Sequence, residues 1–203
     1  MWCVLVFRRV LFMVLAACSI VAMPSCSSDS GGSRDAGAAD GAVTPDAGPN
    51  AGSWNLSGTI RGINLQNDVL SAVSSRIDDG TSIQTSVTLV NLENYCARSQ
   101  ENSSCVGQGV QHRLMEVTIL GTATGTYPTT GGGHTRPPAG EAELLFVALG
   151  DSCQLLAPTL WANSGSVTFT EIDLNPGGQV SFSFDVSTSE GSVSGTVTAP
   201  FCK

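Results

Sequence analysis

Lysine is nearly absent: of the 9 basic residues only Lys203, the last one, is a lysine. Against 17 acidic residues this gives a formal net charge of −8. Such a chain has no basic patch to neutralise phosphates, which excludes a nucleic-acid partner. Charged side chains of both signs make up only 13% of the sequence, about half the usual quarter. The surface must therefore be covered by neutral Ser, Thr, Asn and Gly. Histidine occurs twice, so few groups titrate near neutral pH to serve acid–base chemistry. Among the longer apolar stretches, residues 10–23 fall short of the roughly 20 residues that a comfortable bilayer span needs.

That stretch follows Arg8 and Arg9 and is broken only by Cys18 and Ser19, the pattern of an export signal. Two cysteines lie where a lipoprotein signal peptidase can cut. Leu15-Ala16-Ala17-Cys18 fits the lipobox residue for residue. Met23-Pro24-Ser25-Cys26 fits less closely, but cutting before Cys26 leaves a fully polar mature start. Cys26 is the expected lipidation site and Cys18 the alternative, which makes residues 1–25 the signal peptide. Acylation also accounts for the odd count of 7 Cys, since an unpaired exported thiol is reactive.

Residues 26–53 are rich in Gly, Ala, Ser and Asp, with Val43 as the one larger aliphatic side chain. Such a segment has too little apolar area to offset its ordering entropy and is expected to be a disordered tether. As a flexible coil it spans about 29 Å r.m.s.. The Arg-flanked signal, the run Cys26-Ser27-Ser28-Asp29-Ser30-Gly31-Gly32 and the triplets Asp35-Ala36-Gly37 and Asp46-Ala47-Gly48 together resemble the lipoproteins of myxobacterial type. The resemblance implies export, a membrane partner reached through an N-terminal lipid anchor, and, from Ser27, the outer membrane of a Gram-negative cell envelope. It implies no particular activity.

Residues 54–203 are expected to form one all-β domain. Val180, Phe182, Phe184 and Val186 alternate with polar residues, as do Val193, Val197 and Ala199, so each strand buries one face. A hairpin is expected around Ser189-Glu190-Gly191. Residues 166–174 change phase near Glu171, which predicts a bulge, and Asn175-Pro176-Gly177-Gly178 supplies a turn. Residues 83–89, 115–119, 143–149 and 56–63 are further strands. Residues 69–77 read either as a strand or as a helix capped by Asp68. The sum is a β-sandwich, immunoglobulin-like or similar, of about 8–10 short antiparallel strands, with a small barrel as the alternative. Ser-Gly pairs recur at Gly58, Gly165 and Gly195, marking either strand entry or close backbone approach.

Cys96, Cys105, Cys153 and Cys202 are an even set in an exported chain and read as two disulfides. Three pairings are possible; those favoured are Cys96 with Cys105, which would pin the polar loop 97–104, and Cys153 with Cys202, which would tie the last strand into the sheet. Motifs that carry chemistry are few. Gly150-Asp151-Ser152-Cys153 lacks a nucleophile elbow, the Gly-rich loop before His134 lacks a Walker lysine and is followed by Pro137-Pro138, and Asp78-Asp79 and Asp173 read as turn residues before cation ligands. No cofactor is implied. Three roles remain: a structural or binding display domain, which is not expected to be an enzyme; a glycan- or protein-binding module using Tyr95, Tyr127 and His134 in loops 95–105 and 127–138; and a metal-assisted hydrolase built on His112 and Glu116. Trp54 and Trp161 are expected at the sheet end and in the core.

Overall fold

The computed structural model describes residues 52–101, 109–132, 134 and 136–202. The expected signal, nearly all of the expected tether and Cys105 lie outside the described residues. The domain is a two-sheet antiparallel sandwich. One sheet takes six strands, in the order β2 (Ile63–Asn64), β1 (Ser53–Ile60), β11 (Gly191–Pro200), β10 (Gln179–Thr188), β9 (Ser164–Ile172), β6 (Gly125–Pro128). The other takes five: β3 (Ser71–Asp78), β4 (Ile83–Val90), β5 (His112–Leu120), β7 (Ala142–Leu149), β8 (Leu160–Trp161). The sheets stay separate, so the barrel alternative is excluded.

Alternation builds the core as expected. Val180, Phe182, Phe184 and Val186 on β10 and Val193, Val197 and Ala199 on β11 are buried, facing Val87, Leu89, Met115, Val117, Ile119 and Leu144 of the other sheet. Phe169, Phe182 and Phe184 stack in a row with centroids 5.2 and 5.8 Å apart. The hairpin closes through Thr188 paired with Gly191. Between β9 and β10 the register jumps, because Ser181 pairs with Glu171 while Phe182 pairs with Phe169. Thr170 is the extra residue, and the bulge restores the inward phase of Phe169 beside Ile172.

The ambiguous segment divides in two. A one-turn helix, α1 (Leu65–Asp68), is capped by Asn64, whose side chain accepts from the Gln66 amide. Asp68 is therefore the end of the turn rather than its cap. β3 follows as a strand, buried at its start on both faces. The outer face of the five-stranded sheet is covered by a second helix, α2 (Tyr95–Glu101), and by the described residues 129–132, 134 and 136–141, which act as a strap. Gly132 lies against the Trp161 indole, the His134 ring reaches Glu143, and Arg136 reaches Asp79 and Thr81 at the β3–β4 turn. Trp161 is half-buried beneath this strap, and Trp54 packs partly against the core.

Two glycines of the Ser-Gly pairs are needed where they stand. Gly58 and Gly165 sit at φ +102° and +114°, and a Cβ there would lie 2.2 Å from the Ser192 carbonyl oxygen and 2.1 Å from that of Asp185. The close approach is between hydrogen-bonded neighbours in the six-stranded sheet, not between the two sheets.

The disulfide pairing differs from the expected one. Cys96 is bonded to Cys202, 106 residues away, with Cα atoms 5.6 Å apart. Cys153 is also disulfide-bonded. The expected pairing fails because β11 does not stop at the sheet. Its continuation crosses to β3, where Phe201 bridges to Ser74 and the Cys202 amide donates to the Ser74 carbonyl at 2.7 Å. That brings Cys202 under α2.

Two outcomes follow from this geometry. Gly165→Ala is expected to lower stability by about 1–3 kcal/mol in denaturant titration, the usual cost of a forced backbone conformation. Peptide mapping without reduction is expected to recover Cys96 joined to Cys202, and Cys96→Ser/Cys202→Ser to cost up to about 4–5 kcal/mol on the loop-closure model.

Candidate functional site

The sequence candidates separate into three places. Tyr127 is not a loop platform: it lies in β6, only 8% exposed, its ring edge-on to Phe169 at 5.9 Å and its hydroxyl donating to the Ala123 carbonyl. Period-two placement on an edge strand turned it inward, so it is a core residue. His112 is buried at 3% exposure, with Nδ1 3.1 Å from the Val110 carbonyl. Four residues along a strand separate it from Glu116 by about 13 Å, which is too far to share an ion. Among the described residues no three His, Cys, Asp or Glu side chains are grouped to hold a metal.

The remaining candidates come together on the outer face of the five-stranded sheet, between α2 and the strap. Even-numbered positions of β4 and β5 face outward, because odd-numbered Val87, Leu89, Val117 and Ile119 fill the core. Glu116 is thus directed away from the core, where the Ser86 hydroxyl of β4 donates to it at 2.7 Å. Burial raises the Glu116 pKa above the ordinary glutamate range, the Ser86 and Thr118 hydroxyls pull it back, and the charge of Glu143 adds to the rise. Tyr95, from α2, faces the same carboxylate. Its phenol is pushed up to about 12, first by burial and then by the Glu116 charge. Glu143 is 8% exposed and lies 2.8 Å from Nδ1 of the exposed His134, whose backbone amide also donates to it.

The sequence reading missed Glu143, Ser86 and Gln84. A lone carboxylate inside the nearly continuous apolar run 142–149 was the available signal for Glu143. Gln84, 4% exposed on the outward face of β4, has an Nε2 with no hydrogen-bond partner among the described residues. The assembly offers two carboxylates, a phenol, hydroxyls and an imidazole on one partly covered face. These are groups that hydrogen-bond polar ligands.

The acidic turns are committed to the fold. Asp79 accepts from the amides of Thr81 and Ser82 and from the Thr81 hydroxyl. The Thr81 hydroxyl and amide bonds bring its pKa down to about 2. Asp173 likewise accepts from the amide and side chain of Asn175.

Searches for similar proteins return nothing: no family model, no curated protein and no solved structure matches the chain.

A carboxyl whose pKa is raised on folding weakens the fold once it ionises: the penalty is absent below the unfolded value, near pH 4, and grows as pH rises through the folded value. Glu116→Gln, which keeps an acceptor for Ser86, is therefore expected to be more stable than the natural protein at pH 7. Denaturant midpoints measured across pH should show the difference shrinking to nothing below about pH 4.

Proposed function

We propose that the chain is an exported lipoprotein. An acyl group on Cys26 holds it to the outer membrane, the residues from Ser27 up to the start of β1 at Ser53 form the tether, and the sandwich is displayed in a structural or binding role rather than a catalytic one. The observation that carries this reading is the Cys96–Cys202 bridge, made between α2 and the end of the chain, with Cys153 also oxidised. Disulfides persist in oxidising compartments and are rare in the cytosol, so the bridges agree with the export signal read in residues 1–25.

Within this reading, the gathering of Tyr95, Glu116, Glu143 and His134 on one face favours a polar ligand, a glycan or a protein loop rich in hydroxyls, over a purely structural role. Paired carboxylates accept from neighbouring hydroxyls, and a phenol supplies both a donor and a flat ring. The metal-assisted hydrolase is not retained, since His112 and Glu116 do not meet.

Cys26→Ser is expected to move the protein from the membrane fraction to the soluble periplasmic fraction and to abolish labelling by a fatty-acid analogue, while Cys18→Ser leaves both unchanged. Labelling that survives Cys26→Ser and is lost with Cys18→Ser would move the anchor. Labelling of neither would remove the lipoprotein reading.

A further inference from the structure

Two rows of side chains cross the outward face of the five-stranded sheet. The register places Ser86 of β4, Thr118 of β5 and Glu143 of β7 in one row. Thr88, Glu116, Leu145 and the Trp161 of β8 form the next, one pleat away. Diagonal neighbours on adjacent strands stand about 7–8 Å apart, so Glu116 and Glu143 reach over one patch, with hydroxyls on one side and the apolar Leu145 and Trp161 on the other. Tyr95, Glu116, Leu145 and Trp161 are each half-buried and the His134 ring is exposed, so the patch is reached by solvent between α2 and the strap.

No arginine of the described fold balances this pair of carboxylates. Arg61 is held by Glu190, Arg76 by Asp78, Arg113 by Asp68 and Arg136 by Asp79. Among the described residues Glu116 has no ion pair, and Glu143 has only the His134 ring. A second observation is independent of the acids. Gln84 precedes Ser86 on the same outward face of β4, is 4% exposed, and holds in Nε2 a donor with no hydrogen-bond partner among the described residues. A buried donor without an acceptor is costly. The patch is therefore short of one cation and one acceptor.

Resting on the binding role given above, we propose that the patch binds a sugar with a free amine, an amino-hexose unit of a glycan. The protonated amine supplies the missing cation to Glu116 and Glu143, and a ring hydroxyl oxygen accepts from Gln84 Nε2. The apolar face of the ring rests beside Leu145 and Trp161, and the Tyr95 ring adds its negative face near the ammonium. Other ligand classes leave one of these groups unserved. A metal ion or a simple polyamine gives Gln84 no acceptor. A neutral or N-acetylated hexose gives the carboxylates no counter-charge, and an acidic sugar is repelled by both of them.

The test uses the full-length protein, purified in detergent and mildly acidic buffer, in which sugar amines are protonated. Its probes are a hexamer of β-1,4-linked glucosamine, the fully N-acetylated hexamer and the matching glucose hexamer. Calorimetry is expected to show the glucosamine hexamer binding at least about tenfold more tightly than the others, the usual worth of a charge-assisted hydrogen bond. Glu116→Gln/Glu143→Gln keeps the acceptors and removes the charges, so it is expected to erase that preference while weak binding of the glucose hexamer persists. Gln84→Leu is expected to weaken the glucosamine hexamer in its turn. A preference that survives either variant would belong to other acids of the chain and would overturn the site. Equal affinity for the glucose hexamer would overturn the amine and leave the binding role standing, whereas binding of none of the three would remove the glycan along with it. A lysine-rich peptide held more tightly than the glucosamine hexamer, and released by Glu116→Gln/Glu143→Gln, would also overturn the assignment to a sugar.

Discussion

The last four residues of the described chain hold the two layers to each other. β11 runs through the middle of the six-stranded sheet and then continues past Pro200 to lie against β3, the edge of the other sheet. Ser74 is the anchor of this crossing: its carbonyl takes the Cys202 amide and its buried hydroxyl donates to the Ala199 carbonyl. The bond from Cys202 to Cys96 then fixes α2 over the same edge. An open sheet edge invites pairing with another chain, and here the edge strand is occupied by the chain's own end. At the opposite side, Thr129 bridges to Ala142 as the chain passes from β6 to β7. The sandwich is stitched along both sides, once by backbone alone and once by backbone and sulfur.

That arrangement explains why the five-stranded sheet does not present an ordinary solvent face. α2 and the strap cover its outside, so Ser71, Gln84, Ser86 and Glu143 are buried although they lie on the side away from the core. Polar groups taken from water need partners, and most have them: Ser71 donates to the Leu92 carbonyl, Ser86 to Glu116, and Glu143 accepts from His134. Glu116 remains poorly solvated with a second carboxylate nearby. A ligand that supplies hydroxyl donors to Glu116 and an acceptor to Gln84 would remove that cost, which is the physical ground of the binding role proposed above.

The strands that bury a single face were legible because their pattern is local. Val180 to Val186 alternates without interruption, and the phase slip before Ile172 located a bulge to within one residue. Residues 69–77 were ambiguous because β3 is covered on both faces at its start, so that Val69, Val73 and Ile77 matched a helical spacing by coincidence. Tyr127 was misplaced because β6, four residues that begin at a glycine and end at a proline, reads as a loop. The disulfide pairing was out of reach for a different reason: the crossing of β11 to β3 is set by tertiary topology, and no local pattern encodes which cysteine will meet α2. Site residues followed the same division, since Tyr95, His134 and Glu116 stood out singly, but only the fold brings them to one face.

The account as a whole requires a protein that matures outside the cytosol. The most direct test is the intact mass of the natural protein taken from its native membrane, before and after reduction. The account predicts a chain beginning at an acylated Cys26, with a 4 Da increase on reduction for two disulfides, roughly 1 Da per released hydrogen. A mass that includes Met1, carries no acyl group and does not change on reduction would contradict it.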